Sequence, residues 1–212
     1  MRASLLCLAL LPLALASPVA RHAGANISAL ALHAPSQGTA PEHGARGSHG
    51  AVASEVDVCS NVGVDMLALG GSAADAIIAA SLCVGVIGAF HSGLGGGGFA
   101  LVRTAFNKYE SYDFRETMPA LGNATMYGDT NKSSTVGGLS VGVPGEVRAW
   151  QLLHAEHGRL PWAKLFEPAI SIARNGFKVP NQLAIAIAQY TSGANAFICT
   201  SDIWKDRYCP NG

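Results

Sequence analysis

Four consecutive glycines, Gly95 to Gly98, close the stretch Ser92-Gly-Leu-Gly-Gly-Gly-Gly-Phe99. A backbone without Cβ atoms can take positive φ and come very near another chain or a ligand. A short way on stands Arg115, in Asp113-Phe-Arg-Glu-Thr-Met-Pro119. Its guanidinium is a planar, permanently charged fork that suits a carboxylate or phosphate. The pairing points to a small-anion site on a glycine loop. Asp113 and Glu116 flank the arginine and could equally hold it as an ordinary ion pair. Gly93, Gly95 and Gly98 also fit G-x-G-x-x-G, but a dinucleotide site needs strand, glycines, then helix. Here a helical pattern precedes the glycines and a strand pattern follows, so a close backbone crossing explains them better.

The elements around the loop read from periodicity and punctuation. Gly50-Ala-Val-Ala-Ser54 suggests a short strand. Glu55 to Leu69 suggests a helix with Cys59, Val62, Met66 and Leu69 on one face, ended by Gly70-Gly71. Ser72 and Asp75 stand in capping-box spacing before a helix over 73–88. That helix is apolar all round, which implies burial. Phe99–Arg103 and Tyr109–Phe114 read as a hairpin turning near Asn107-Lys108. Gly137–Val143 reads as another strand. Pro144 opens a helix that Gly158 ends, with Val147, Trp150 and Leu153 on one side. Leu160–Phe166 gives a helical turn, Pro168 restarts a helix closed by Gly176, and an Ala-rich helix follows Pro180.

The N-terminus has the pattern of a signal peptide: Arg2, an apolar run from Leu5 to Leu15, and Ala14-Leu-Ala16 as the cleavage signature. This gives 1–16 as signal, 17–48 as a flexible Ala/Gly/Ser/Pro/His leader, and 49–212 as the folded part. A secreted or cell-surface location follows, with anchoring by an uncleaved signal the lesser alternative. Asn26, Asn123 and Asn131 head glycosylation triplets. Outside the signal, four cysteines remain, Cys59, Cys83, Cys199 and Cys209. An oxidising compartment favours two disulfides, with three possible connectivities. Cys59 and Cys83 stand at matching distances from the Gly70-Gly71 turn. Antiparallel helices joined there bring them side by side, leaving Cys199 to pair with Cys209.

Lys+Arg and Asp+Glu both number 14, so no basic excess exists to hold nucleic acid. His154 and His157, at i and i+3, offer half a metal site, but no third ligand stands at suitable spacing, so an exposed helix end explains them better and no metal is expected. No G-x-S-x-G elbow or Ser/His/Asp set is visible, and no cofactor is implied.

Taken in order, these segments resemble the gamma-glutamyltransferase (glutathione hydrolase) family. The resemblance rests on Gly50–Ser54, Cys59-Ser60, Gly70-Gly-Ser-Ala-Ala-Asp75-Ala and Ser92–Phe99. It continues through Arg115-Glu-Thr-Met-Pro119, Gly137-Gly-Leu-Ser-Val, Val143-Pro-Gly-Glu146 and His157-Gly-Arg-Leu-Pro-Trp162. It implies an α+β fold, the αββα sandwich of N-terminal-nucleophile hydrolases, present here as a helix-rich N-terminal part of the large subunit. It further implies a self-cleaving precursor whose small subunit begins with a nucleophilic threonine. That threonine attacks γ-glutamyl amides such as glutathione, and the acyl group passes to water, an amino acid or a dipeptide. Arg115 matches the family's arginine for the donor α-carboxylate, and Cys59 and Cys83 match a family disulfide. No catalytic residue is expected within these 212 residues, which alone should be inactive. Met118 and the Cys199–Cys209 spacing depart from the family pattern. Two rivals stand beside this reading: a secreted non-catalytic binding or structural protein on the same scaffold, and an acylase with another amide substrate.

Overall fold

The computed structural model of the chain describes residues 50–128, 134–191 and 197–209, all within one unit, 39–212. The expected signal peptide and leader, with the acceptors Asn26 and Asn131, lie outside those residues.

The first two helices, α1 (Asp57–Ala68) and α2 (Ala73–Ile87), form a hairpin through a turn the sequence specifies locally. Gly70 takes φ +87°, and Gly71 N–H reaches back to Met66 O at 2.9 Å while Gly70 N–H bonds Leu67 O at 3.0 Å. This is the Schellman arrangement, for which glycine carries no Cβ penalty. Ser72 then caps α2. Its Oγ accepts Asp75 N–H at 3.2 Å and Asp75 Oδ2 accepts Ser72 N–H at 2.7 Å, the expected capping box. Cys59 and Cys83 meet across the hairpin as a disulfide with Cα atoms 5.3 Å apart, and Cys199 pairs with Cys209.

Two strands and two helices follow the hairpin. The strands β1 (Phe99–Arg103) and β2 (Tyr109–Asp113) pair antiparallel, Phe99 opposite Asp113, and turn at Asn107, whose φ is +56°. Helices α3 (Glu146–His157) and α4 (Trp162–Asn175) pack on α2, burying Trp150, Leu153, Leu165, Ala169 and Ile172 in one core with Met66 and Ile78. Three short helices follow, α5 (Asn181–Thr191), α6 (Phe197–Thr200) and α7 (Lys205–Tyr208). Asp75, fully buried, joins the layers: its Oδ2 also accepts the N–H groups of Arg159 and Leu160 at 2.9 and 3.3 Å. A buried carboxylate is tolerable because those donors replace water.

Several expectations need correcting. Gly50–Ser54 is not a strand: no described strand lies beside it, and Ser54 N–H goes to Ser60 Oγ at 2.9 Å. Helix α1 begins at Asp57 rather than Glu55, and Leu69 caps it half-exposed instead of joining the core. Ile77 leaves α2 40 % exposed, so that helix is not covered all round. Gly137–Val143 is a 3₁₀ turn at Gly138–Ser140 followed by one bridge, Thr117 to Val143. Helix α3 starts two residues after Pro144, and its buried stripe is 146, 149, 150 and 153, which leaves Val147 outside. Pro168 does not restart a helix but sits inside α4. The proline forfeits one backbone hydrogen bond, a cost of about 3 kcal/mol. Continuous packing of Leu165, Pro168, Ala169 and Ile172 outweighs it.

Candidate functional site around Arg115

The glycine run works as the close crossing. Phe114 N–H and Gly98 O bond at 3.0 Å, extending the hairpin ladder past β2. The carbonyl of Phe114 is then wedged between two glycines: a Cβ on Gly97 or on Gly145 would lie 2.1 Å from that oxygen. Only residues without side chains fit both places. Gly96 O accepts the N–H groups of Gly145 and Glu146 at 3.0 and 3.1 Å. Those are donors that a helix start leaves unpaired. The loop carbonyl thus occupies the N-terminus of α3.

This lacing positions Arg115. Asp113 Oδ1 accepts the Arg115 N–H at 3.1 Å, and Thr117 pairs with Val143 just beyond. Arg115 lines an open cleft of about 470 Å³ together with Gly95, Glu116, Ser140, Val141 and Gly142. The arginine is ion-paired, Nη1 lying 2.9 Å from Glu116 Oε2, yet its side chain stays 64 % exposed. Asp113 engages the backbone N–H. Ser140 contributes no activated nucleophile, since its hydroxyl donates to Gly137 O at 2.7 Å.

Behind Glu116 lies Glu146, only 6 % exposed at the first turn of α3. Burial pushes its carboxyl up from the ordinary carboxylate value. The Trp150 indole N–H at 3.3 Å works against that, the charge of Glu116 adds to it, and Gly93 N–H opposes it. The sequence presents this residue only as the acid after Pro-Gly at a helix start, a pattern that announces a first-turn carboxylate but not its burial. Nearby, His91 ties the loop entry to the chain before α1. Nε2 is 2.8 Å from Glu55 Oε2 and Nδ1 is 2.6 Å from Gly88 O. The bonds to Glu55 and then Gly88 raise its pKa above 6.5.

The half metal site that His154 and His157 could offer does not converge. His154 Nε2 donates to Leu160 O at 2.7 Å, whereas His157 Nε2 turns to Glu110 Oε2 at 2.6 Å, beside Tyr112 and Glu156. Burial first, then those carboxylates, push the Tyr112 phenol well above its usual value. Asn123 is exposed, and its Oδ1 accepts Thr125 N–H and Oγ1–H at 3.1 and 2.9 Å. Met118 is exposed beside Pro119.

Residues 59–212 match the family model described as gamma-glutamyltranspeptidase. The glutathione hydrolase proenzyme 1 of Schizosaccharomyces pombe is 41 % identical over 156 residues, 74 % of this chain and 24 % of that protein. A glutathione hydrolase of Aspergillus flavus is 45 % identical over 157 residues, 73 % of this chain and 25 % of its own length. The crystal structure of Helicobacter pylori gamma-glutamyltranspeptidase superposes with a TM-score of 0.67 at 29 % identity, covering 69 % of this chain and 43 % of that one. The chain thus spans about a quarter of the length of these curated relatives. Among the described residues, its helix-rich fold with one two-stranded sheet matches part of that structure.

Proposed function

The chain belongs to the gamma-glutamyltranspeptidase family, and from that premise we propose that its full-length protein cleaves or transfers the γ-glutamyl group of glutathione and related amides. The observation that carries the reading is the union of a family match over residues 59–212 with an exposed Arg115 fork over an open cleft. The guanidinium holds the donor's α-carboxylate by charge-assisted hydrogen bonds. Glu116 already balances one edge of that fork.

The covalent step belongs to a threonine at the N-terminus of a small subunit released from the same precursor, its own α-amine serving as base. Two features support this division. The S. pombe relative is named a proenzyme. The cleft holds a binding group without an activated nucleophile among its lining residues. The 212 residues alone are accordingly inactive. Amino acids or dipeptides accept the acyl group, and no cofactor takes part. The two disulfides support passage through an oxidising compartment, hence a signal peptide at 1–16 and a secreted or cell-surface protein. There, exposed Asn123 is a glycosylation acceptor, as is Asn131 by sequence.

The test compares substrates. Full-length protein should release product from γ-glutamyl-p-nitroanilide and not from the α-glutamyl isomer, while the 212-residue chain releases none. Equal rates on both isomers, or on an unrelated acyl amide, would favour the acylase. Inactivity of the full-length protein on every amide would favour a non-catalytic scaffold.

A further inference from the structure

Outside the Arg115 cleft, Glu110, Glu156 and His157 bring three metal-ligating atoms within 4.8 Å of one another. Glu110 comes from β2, while Glu156 and His157 end α3, 46 and 47 positions later in the sequence. His157 Nε2 lies 2.6 Å from Glu110 Oε2 and 4.0 Å from Glu156 Oε2. Tyr112 Oη stands among them, 3.2 Å from both Glu110 Oε2 and His157 Nε2, and hydrogen-bonded to Glu156.

We propose that Glu110, Glu156 and His157 form a site for a divalent transition ion of the Zn²⁺ type, which clamps the hairpin to the end of α3. The donor chemistry selects the ion. One imidazole nitrogen with two carboxylate oxygens suits Zn²⁺, which takes such ligands in four-coordinate geometry at about 2.0–2.2 Å and leaves a fourth position for water. Ca²⁺ and Mg²⁺ prefer all-oxygen sets. Tetrahedral ligands at those bond lengths stand about 3.4 Å apart. The Glu110–His157 contact must therefore open and the Glu156–His157 contact close, each by roughly an ångström or less, on side chains that are only partly buried. Two carboxylates repel when brought together, and a dication removes that repulsion. Tyr112, whose hydroxyl donates to Glu156 and lies 3.2 Å from Glu110 Oε2, orients them as partners behind metal ligands commonly do. The clamp would fix β2, which leads into Arg115, against a helix whose other end is docked on the glycine loop.

The test uses full-length protein stripped with EDTA and titrated calorimetrically with Zn²⁺. The wild type should take up one equivalent at this site. Glu110→Gln and His157→Gln should each weaken it at least tenfold, as should Glu156→Gln at the most exposed of the three positions. Co²⁺ should give the intense visible absorption of a four-coordinate site, lost in His157→Gln. Melting curves of the metal-free proteins establish that each variant folds, with Glu156→Gln the arbiter if the other two do not. No uptake by the wild type, or uptake by a folded variant equal to that of the wild type, overturns the proposal.

Discussion

Arg115 gives one guanidinium nitrogen to Glu116 and presents the rest of its side chain to solvent over the cleft. The α-carboxylate it is proposed to grip keeps its charge while the γ-carbonyl is attacked. Ground state and transition state are thus held alike, and such uniform binding shows in KM. Arg115→Lys keeps the charge and loses the two-pronged geometry. The KM for glutathione should rise by one to two orders of magnitude, about 1.4 to 3 kcal/mol, with a smaller fall in kcat. Steady-state kinetics of the full-length variant decide this, and a KM within twofold of wild type would make Arg115 an ordinary surface ion pair. His91 gives a pH-dependent counterpart. Its raised pKa means the folded state holds the proton more tightly. The contact's stability is therefore fully present below the unfolded value near 6.5 and lost as pH rises through the folded one. An NMR titration of the imidazole should find a midpoint above 6.5 that falls back toward it in Glu55→Gln. For Glu146 the raised carboxyl works the opposite way to the usual acid. Stability drains as pH climbs from the ordinary carboxylate value through the raised one. Glu146→Gln should gain Tm over wild type near pH 8 and lose that advantage near pH 4, at about the unfolded carboxylate value. Equal differences at both pH values would show that Glu146 titrates normally.

At the scale of elements, the α1–α2 hairpin and its disulfide carry the core. Cutting the bridge with Cys59→Ser and Cys83→Ser together should lower stability by about 3 kcal/mol, since the bridge closes a 24-residue separation in the unfolded chain. Urea denaturation would show it as a lower midpoint, and an unchanged midpoint would refute it. The glycine crossing should be still less tolerant. A Cβ on Gly145 must displace the Phe114 backbone, so Gly145→Ala should cost about 2–3 kcal/mol and disturb Arg115 as well. What could be read in advance was local. The Gly70-Gly71 stop, the Ser72–Asp75 box and the Cys59–Cys83 pairing depend on residues close in sequence, and all three stand in the structure. What could not be read depends on distant partners. Gly50–Ser54 and Gly137–Val143 have strand-like composition but no ladder among the described residues. Pro168 stays in α4 because tertiary packing overrides a local breaker. His157 meets Glu110 across 47 residues, a contact that its local spacing from His154 could not reveal. Arg115 was legible as a candidate because its motif is compact. Its cleft wall at Ser140–Gly142 and the burial of Glu146 were not, being products of the fold.

At the scale of the whole molecule, exposed apolar side chains gather on the β1–β2 hairpin. One face of the hairpin carries Phe99 and Leu101, each 72 % exposed, with Tyr109 beside them. Exposed apolar groups of this kind mark an interaction surface. Under the proposed function, the small subunit packs on this face. Replacing Phe99 and Leu101 by Ser should leave the helical core intact by circular dichroism and weaken association of the subunits. Pre-steady-state hydrolysis of γ-glutamyl-p-nitroanilide by full-length protein tests the account most directly. The account predicts a burst of p-nitroaniline near one per protein molecule, a γ-glutamyl group recovered on the small subunit's N-terminal threonine, and faster turnover when an amino acid acceptor is added. Absence of any p-nitroaniline release, or a glutamyl adduct on a residue of this chain, would contradict it.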